Sequence, residues 1–204
     1  MIMKSAKQSV PKVSIIVLNY NGIEDTIICL NSLLGMKYPN YEIIVVDNGS
    51  ENDEAKRLSH IYGTKITLIR NECNLGYAEG NNVGIRFALS FNPAYVLILN
   101  NDIKVHPLFL NELVNVCEKD KKIGIVGPKM YDMDRPDVLF SAGGKINFGL
   151  GLHMQFGQGK TSTGKYNLMK EVDFVNGACM LIRREVIEKI GTFPTEYFLQ
   201  WEDI

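Results

Sequence analysis

Short, almost entirely apolar runs recur along this sequence and restrict the chain to a fold whose strands are covered on both faces. Residues 13–18 read VSIIVL and residues 95–99 read YVLIL, so neither run alternates as a half-solvated strand would. Between such runs, Ile23, Ile27, Leu30 and Leu34 recur at the spacing of one helix face. This alternation predicts an α/β fold with a mainly parallel central sheet and flanking helices.

The predicted elements follow one another regularly as far as about residue 128. Strands are predicted over residues 13–18, 42–46, 66–69, 95–99 and 123–126, and helices over residues 23–34, 55–61, 78–90 and 110–117. Residues 141–165 are rich in glycine and lack periodicity, so we expect loops, irregular strands and a mobile flap there. An ordered stretch over residues 172–182 and a helix over residues 184–190, which Gly191 ends, complete the pattern.

Length and composition indicate one globular domain. The 204 residues, with a net charge of −1, provide a continuous core but no general attraction to nucleic acid or to an anionic membrane. No stretch reaches the roughly 20 apolar residues of a spanning helix, and the first ten residues lack the apolar centre of a signal peptide. We expect a cytoplasmic protein with no nucleic-acid partner, whose membrane association is at most peripheral, at the inner face.

The cysteines and histidines show no metal-site spacing. Consecutive cysteines are more than 40 residues apart, which fits neither a zinc site nor a disulfide-rich scaffold, so we expect four packed, reduced thiols: Cys29, Cys73, Cys117 and Cys179. His60, His106 and His153 form no HxH or HxxxH pattern, so we expect them to be structural or exposed.

Three polar clusters follow three predicted strands. Asn19 to Gly22 read NYNG, Asp47 to Ser50 read DNGS, and Asn100 to Asp102 read NND. Ligands of open parallel sheets bind beyond the carboxyl ends of the strands, so these clusters are predicted to meet at one edge. Their coincidence at one edge indicates a binding site more strongly than any one polar loop does.

Two acidic residues in these clusters have both a functional and a structural interpretation. Asp47 can accept hydrogen bonds from a nucleobase or ribose, but Asp-Asn-Gly-Ser also favours a tight turn. Asp102 can bind Mg²⁺ or Mn²⁺ if a diphosphate completes the coordination, but it can equally precede a helix as a loop aspartate. A single carboxylate implies that metal and phosphate bind together.

Two further segments have open interpretations. Asn74 and Gly76 lie where a helix is predicted to start, and helix amides attract phosphate. Arg70 is either a phosphate partner or a solvated side chain. The final WEDI contains Glu202 and Asp203, which suit a general base but, on spacing alone, favour an acidic chain end.

Taken in order, these segments resemble the inverting glycosyltransferases of family two, which have the GT-A fold. The resemblance rests on VSIIVLNYNG, YEIIVVDNGS, NLGYAEGNNVGI, YVLILNND, VDFVNGACMLIRREVIEKIGTF and WEDI, and covers residue 13 to the end. The NND and WED forms look most like the rhamnosyltransferase-like branch. Because family members normally continue past the last motif, the chain resembles a C-terminally truncated member.

The resemblance implies transfer of a sugar from a dTDP- or UDP-sugar to a glycan or lipid-linked acceptor, with inversion, in cell-surface polysaccharide biosynthesis. It implies a nucleotide-sugar-binding half over 13–128 and an acceptor-side half over 129–204, which follow the mobile leader that the N-terminal residues themselves predict over 1–12. Asp203, or less favourably Glu202, would be the base, and Asp102 would hold Mg²⁺ or Mn²⁺. The implied donor-binding residues are Asn19, Tyr20, Asp47, Asn74, Gly76, Asn100, Asn101, Gly177 and Ala178.

The sequence departs from the family pattern at two places, and two rival functions are open. Asn100 replaces the first acid of the DxD motif, and GTFPTEYF replaces the usual Gly-Gly-Phe-Asp-Glu run. One rival is a nucleotidyltransferase, which needs a basic glycine-rich loop after the first strand, where this chain has NYNGIED. The other is a non-catalytic nucleotide-sugar-binding domain, against which the presence of Asp102 and Asp203 counts.

Overall fold

A computed structural model describes residues 9–196 and residue 198. Its first part alternates strands and helices: β1 (Val13–Asn19), α1 (Ile23–Leu34), β2 (Tyr41–Asp47), α2 (Glu54–Tyr62), β3 (Thr67–Arg70), α3 (Gly76–Leu89), β4 (Tyr95–Asn100), α4 (Phe109–Lys119) and β5 (Ile125–Val126). Its second part contains β6 (Met130–Tyr131), β7 (Leu139–Ser141), β8 (Gly144–Asn147), β9 (Leu152–Gln155), β10 (Cys179–Arg183) and α5 (Arg184–Ile190). The predicted α/β fold is confirmed.

The central sheet has the strand order β3-β2-β1-β4-β10-β5. The first four strands are parallel, whereas β10 is antiparallel to both β4 and β5. Within this sheet, Asn19 pairs with Asp47, and Leu18 pairs with Asn100. The register therefore aligns the carboxyl ends of β1, β2 and β4 on one edge.

The sequence interpretation of the chain beyond β4 was less accurate. The ordered stretch predicted over residues 172–182 is a strand only from Cys179, because the side chain of Asn176 accepts a hydrogen bond from the amide of Ala178 in a local turn. The strand predicted over residues 123–126 is reduced to Ile125–Val126 and pairs with β10 rather than extending the parallel sheet. Within the irregular segment predicted over residues 141–165, β8 and β9 form a small antiparallel pair, and β6 and β7 form a second pair that begins before that segment.

Two apolar layers hold the sheet. Alternate residues of β1 point to opposite faces, so Ile15 and Val17 pack with α1, α2 and α4, whereas Ile16 packs with α3 and α5. Ser14 interrupts the apolar run, and its buried hydroxyl donates to Glu42 Oε1 at 2.5 Å. Each fully buried Val, Leu or Ile contributes about 1.5–3 kcal/mol, so this two-sided burial explains why the first strand needs almost no polar residue.

Helix α3 packs closely on the sheet through two glycines. A Cβ at Gly84 would lie 2.6 Å from Ile16 Cγ2, and a Cβ at Gly80 would lie 2.7 Å from Leu18 Cδ1. Such distances are far inside van der Waals contact, so these positions require glycine to bring the helix axis near the strands. The glycines therefore set the depth at which α3 sits beside the carboxyl edge.

Candidate functional site

The three polar clusters lie side by side at the carboxyl edge of the sheet, as predicted. Asp47 ends β2, Asn19 ends β1 beside it, and Asn100 ends β4 on the other side of β1. Neighbouring strands are about 4.8 Å apart, so the loops after β2 and β4 are separated by about 10 Å at this edge. That distance suits a ligand with the length of a nucleotide.

The side chain of Asn19 links several buried polar groups of this edge by hydrogen bonds. Its fully buried Nδ2 lies 2.9 Å from Asp47 Oδ1, 3.1 Å from Ser50 Oγ and 3.0 Å from Glu54 Oε2, and its Oδ1 accepts a 2.7 Å bond from Thr26 Oγ1. One amide group offers two hydrogens to three acceptors, so it is fully engaged. The side chain of Asn19 therefore positions its neighbours, and whether its backbone lies beside a nucleobase stays a prediction.

The buried partners of Asn19 were missed at the sequence level. Thr26, Ser50 and Glu54 lie in three different segments, and nothing in their spacing links them to Asn19. The one available signal was a charged residue, Glu54, in the first turn of α2, where the helix dipole favours an acid. Only the sheet register brings these residues together.

Asp47 has one oxygen in this network and one without a hydrogen bond. Oδ1 accepts from Asn19, whereas the equally buried Oδ2 accepts no hydrogen bond in the described residues. The nearest cation is Arg70 on β3, whose Nε lies 3.8 Å from Oδ2 and whose side chain is half exposed. A buried acceptor without a donor costs about 1–3 kcal/mol, so an N–H or O–H group of a ligand would be stabilised here.

The loops after β1 and β2 are cross-linked to each other. The amide of Asn21 donates to Ser50 Oγ at 3.0 Å, and the amide of Glu51 donates to Asn21 Oδ1 at 2.8 Å. Asn21 adopts a positive φ of 50°, which an asparagine tolerates better than most residues. Tyr20 lies between these fixed points with 46% of its surface exposed, and its aromatic ring is open to a flat ligand.

Asn74 and Gly76 form a second fixed loop beside Asp47. Asn74 Oδ1 accepts from Asn48 Nδ2 and from the amide of Gly76, both at 2.9 Å. A Cβ at Gly76 would lie 2.5 Å from the carbonyl oxygen of Phe198, and that oxygen accepts a 2.8 Å bond from the amide of Tyr77. The amides of Gly76 and Tyr77, the first two of α3, thus donate to groups of the chain itself.

Within the NND cluster, Asn100 and Asn101 form hydrogen bonds with the rest of the chain, whereas Asp102 is exposed to solvent. Asn101 Nδ2 donates to Thr26 Oγ1 at 2.9 Å, which ties this loop to the first turn of α1. The amide of Asn100 donates to the carbonyl oxygen of Ala178 at 2.9 Å, and Tyr77 donates to the carbonyl oxygen of Gly177 at 2.9 Å. Ala178 consequently adjoins the NND loop and Gly177 contacts α3, while their role in a binding site stays a prediction.

Asp102 is the exposed acid of this edge. Its carboxylate makes no hydrogen bond or ion pair within residues 9–196 and 198. No group of three His, Cys, Asp or Glu side chains in the described part of the chain suits a metal ion. A cation could therefore be held here only with ligands from a bound molecule, which fits the donor set expected for a metal diphosphate.

Two of the buried thiols, Cys29 and Cys179, lie beside this edge without offering reactivity. Burial, with a smaller effect of the Asp102 charge, raises the pKa of Cys29 to about 12, and burial raises the pKa of Cys179 to about 12. Cys117 is also buried, whereas Cys73 is exposed, which corrects the expectation of four packed thiols. None of the four is in a disulfide.

Glu202 and Asp203 lie outside the described residues. The predicted base is therefore neither located nor excluded by the geometry above.

The sequence model of glycosyl transferase family 2 matches residues 14–191, which is most of the chain. The chain belongs to glycosyl transferase family 2. Nothing in that assignment specifies the sugar, the acceptor or the stereochemistry of transfer.

Several curated glycosyltransferases are similar to this family 2 chain. A low-salt glycan biosynthesis hexosyltransferase of Haloferax volcanii is 30% identical over 192 residues, which are 94% of this chain and 59% of that protein. Glycosyltransferase AglE of the same organism is 29% identical over 91% of this chain and 57% of its own length. This family 2 chain thus spans less than three fifths of the length of these two relatives.

Solved structures share the fold of this family 2 domain. A mannosyltransferase of Pyrobaculum calidifontis, in complex with GDP-Man and Mn²⁺, has a TM-score of 0.65 at 20% identity and covers 93% of this chain and 49% of its own. Residues 1–349 of S. aureus TarS in complex with UDP have a TM-score of 0.65 at 21% identity, over 94% of this chain and 52% of that one. At these identities the likeness confirms the GT-A fold.

A large cavity of the family 2 domain lies away from this edge. It has a volume of about 1470 Å³, is lined by residues 122–129, 165–176 and 190–194, among others, and includes neither Asp47 nor Asp102. The lining of this cavity is apolar where it meets the sheet, for example at Met180 and Ile182. The converging polar groups therefore lie at the carboxyl edge of the sheet and not in this cavity. None of the helices in the described ranges is long and apolar enough to cross a membrane.

Proposed function

We propose that this chain binds a nucleoside diphosphate sugar across the carboxyl edge of the sheet and transfers the sugar to a glycan or lipid-linked acceptor with inversion. The observation that carries the proposal is the buried Oδ2 of Asp47, which lacks a hydrogen bond and lies about two strands from the free carboxylate of Asp102. Asp47 Oδ2 can accept a hydrogen bond from a ligand, and the Asp102 carboxylate can bind a cation. A nucleoside diphosphate with a divalent cation supplies both.

In this proposal, Asp47 accepts a hydrogen bond from the base or ribose. The Asn19 network keeps Asp47 Oδ1 occupied, so Oδ2 is left for the ligand. Tyr20 lies next to the base, and Asn74 and Gly76 form the adjoining wall. A dTDP- or UDP-sugar is the proposed donor, and the imide N–H of thymine or uracil is a group from which a carboxylate can accept a hydrogen bond.

The diphosphate would lie towards the NND loop, with Mg²⁺ or Mn²⁺ held by Asp102. Asn100 stands at the other position of the motif and offers only a neutral oxygen. A bound divalent cation supplies electrostatic stabilisation of the departing nucleoside diphosphate. The chain's own contribution would be to position the Asp102 carboxylate, which holds the cation against the diphosphate. The loop that carries Asp102 is fixed to α1 by Asn101.

On the acceptor side, Gly177 and Ala178 would line the sugar and acceptor pocket. The acceptor hydroxyl oxygen would attack the anomeric carbon from the side opposite the leaving group. Asp203, or less favourably Glu202, would remove the proton of that hydroxyl during the attack. Residues 13–128 would then bind the donor and residues 129–204 the acceptor. Cell-surface polysaccharide biosynthesis is the proposed setting, which the glycan biosynthesis relative of Haloferax volcanii supports.

Binding of UDP, dTDP and GDP, measured by calorimetry with Mn²⁺ and with a chelator, tests this function. Asp102→Ala is expected to remove the increase in affinity that Mn²⁺ gives, because it removes the protein carboxylate expected to hold the cation. Asp134→Ala is the matched control, since Asp134 is an exposed loop acid away from the edge. Equal Mn²⁺ dependence in the wild type and Asp102→Ala would refute the site.

A further inference from the structure

Residues 138–170, here called the basic lobe, combine exposed apolar side chains with lysines and contain no Asp or Glu. All four of its lysines, Lys145, Lys160, Lys165 and Lys170, are exposed, in a chain whose net charge is −1. Among the described residues, seven of the eighteen large apolar side chains that are exposed belong to this lobe: Phe140, Phe148, Leu150, Leu152, Met154, Leu168 and Met169. Such a concentration of apolar surface marks an interaction site.

The basic lobe is folded, so this exposure does not come from an unpaired chain. The amide of Leu139 donates to the carbonyl of Lys160 at 2.8 Å, and the amide of Ala142 donates to that of Phe156 at 3.0 Å. The β8–β9 hairpin projects from this base, and its connecting turn carries Phe148, which is 84% exposed, and Leu150, which is 70% exposed. The most exposed apolar groups therefore lie at a protruding tip.

The lysines of the basic lobe have no acidic partner within the described residues. None of them forms an ion pair there. Lys145 lies directly across the hairpin from Met154, and Lys170 lies with its Nζ 3.4 Å from the ring centre of Phe156. Acids lie at the margins of the lobe, in Asp137, Glu171 and Asp173, and Asp173 Oδ2 accepts a 2.9 Å bond from the amide of Ile146 within β8. The four lysines thus form no ion pair among the described residues and share the lobe with its apolar tip.

We propose that the basic lobe binds the surface of an anionic lipid bilayer, with Phe148 and Leu150 entering the interface and the lysines contacting lipid phosphates. Both components are needed, because apolar insertion and attraction to anionic headgroups add in peripheral binding. A second copy of this chain is a poorer occupant, since a symmetric contact would place four lysines against four lysines. A neutral apolar partner would offer no anionic group to the four lysines.

The basic lobe is connected to the candidate site through residues 173–178. Gly144 and Phe174 form a bridge, with the amide of Gly144 donating to the carbonyl of Phe174 at 3.0 Å. A few residues further along, Ala178 adjoins the NND loop. Binding of the lobe to lipid would hold this segment near the bilayer, where a lipid-linked acceptor resides. That last step rests on the proposed function.

Co-sedimentation with vesicles tests the membrane proposal. Wild-type protein is expected to sediment with vesicles of phosphatidylcholine and phosphatidylglycerol, and far less with phosphatidylcholine alone. Lys145→Gln with Lys160→Gln is expected to weaken partitioning by about 25-fold, since each lysine near an anionic surface contributes about fivefold. Phe148→Ser with Leu150→Ser is expected to weaken partitioning by at least about tenfold, because two apolar side chains leave the interface.

The matched control is Ile61→Ser with Lys65→Glu, at an exposed apolar residue and an exposed lysine near the β3 edge of the sheet. This variant is expected to partition like the wild type. Equal partitioning of all variants, or no preference of the wild type for anionic vesicles, overturns the proposal. So does a concentration-dependent doubling of mass that the Phe148→Ser, Leu150→Ser variant abolishes. Nucleotide binding is measured on the same samples. A protein that binds nucleotide but shows no preference for anionic vesicles contradicts only the membrane proposal, whereas a protein that binds no nucleotide contradicts the proposed function.

Discussion

At the scale of single residues, the network around Asn19 couples stability to the candidate site. We expect Asn19→Ala to lower the free energy of unfolding by about 3 kcal/mol, because buried oxygens of Asp47, Ser50 and Glu54 lose a shared donor. Two of those groups are acids, so the amide also separates like charges. Urea unfolding followed by circular dichroism measures the change.

Asn115→Ala is the matched control for Asn19→Ala, since Asn115 is exposed on α4 and its side chain makes no hydrogen bond in the described structure. Its effect is expected to stay within about 0.5 kcal/mol. If the two variants were equally stable, the network would contribute nothing beyond burial. Nucleotide binding should also weaken in Asn19→Ala, as Asp47 would no longer be held in one position.

Residue roles were only partly predictable from the sequence. Asp47 and Asp102 were identifiable because each follows a buried strand, and the edge rule gives such positions a meaning. The engagement of Asn19 with Glu54 was not identifiable, because it depends on how the loop after β2 folds back. Exposure was also hard to assign, as Cys73 shows: free cysteines are usually buried, but this one lies at the surface.

At the scale of elements, α3 is positioned by the absence of side chains at Gly80 and Gly84. We expect Gly84→Ala to destabilise the protein by up to about 2 kcal/mol. Overpacking against Ile16 costs about 1–3 kcal/mol, and the gain of about 1 kcal/mol in helix propensity offsets only part of it. Thermal unfolding would show a lower midpoint.

Gly164→Ala provides the comparison for Gly84→Ala, because a Cβ at Gly164 meets nothing within 4 Å and the position is at the surface. It should leave the unfolding midpoint nearly unchanged. A stabilised Gly84→Ala would mean that α3 can move away from the sheet, and the close contact with Ile16 would not then be a constraint.

The elements themselves were predicted to very different accuracy along the chain. The helix predicted over residues 23–34 has the observed bounds Ile23–Leu34, because its apolar spacing is regular and Gly35 ends it. The antiparallel direction of β10 was not predictable, since a fully buried strand has the same apolar composition in either direction. Irregular strands were expected around β8 and β9, but their pairing as a hairpin was not predicted, because the exposed apolar residues do not give the pattern of a half-buried strand.

At the scale of the whole molecule, the proposed division near residue 128 is a division of roles and not of folding units. Strand β10, from the second half, lies between β4 and β5 of the first. Its residues contribute to both apolar layers: Leu181 packs in the layer of α1 and α4, and Met180 packs in the layer of α3. Arg183 adds a 2.7 Å bond to the carbonyl of Cys117 at the end of α4.

This interlocking predicts that residues 9–128 do not fold alone. Without β10, the fully buried edge of β4 would face water along its whole length, and the exposed apolar surface and unpaired backbone groups would favour aggregation. Circular dichroism and light scattering of this fragment should show an unfolded or aggregated chain, whereas the intact chain should unfold in one cooperative urea transition. A soluble fragment with native-like helix content would contradict this, because it would mean that the parallel strands and their helices form a complete core before the acceptor-side half is added.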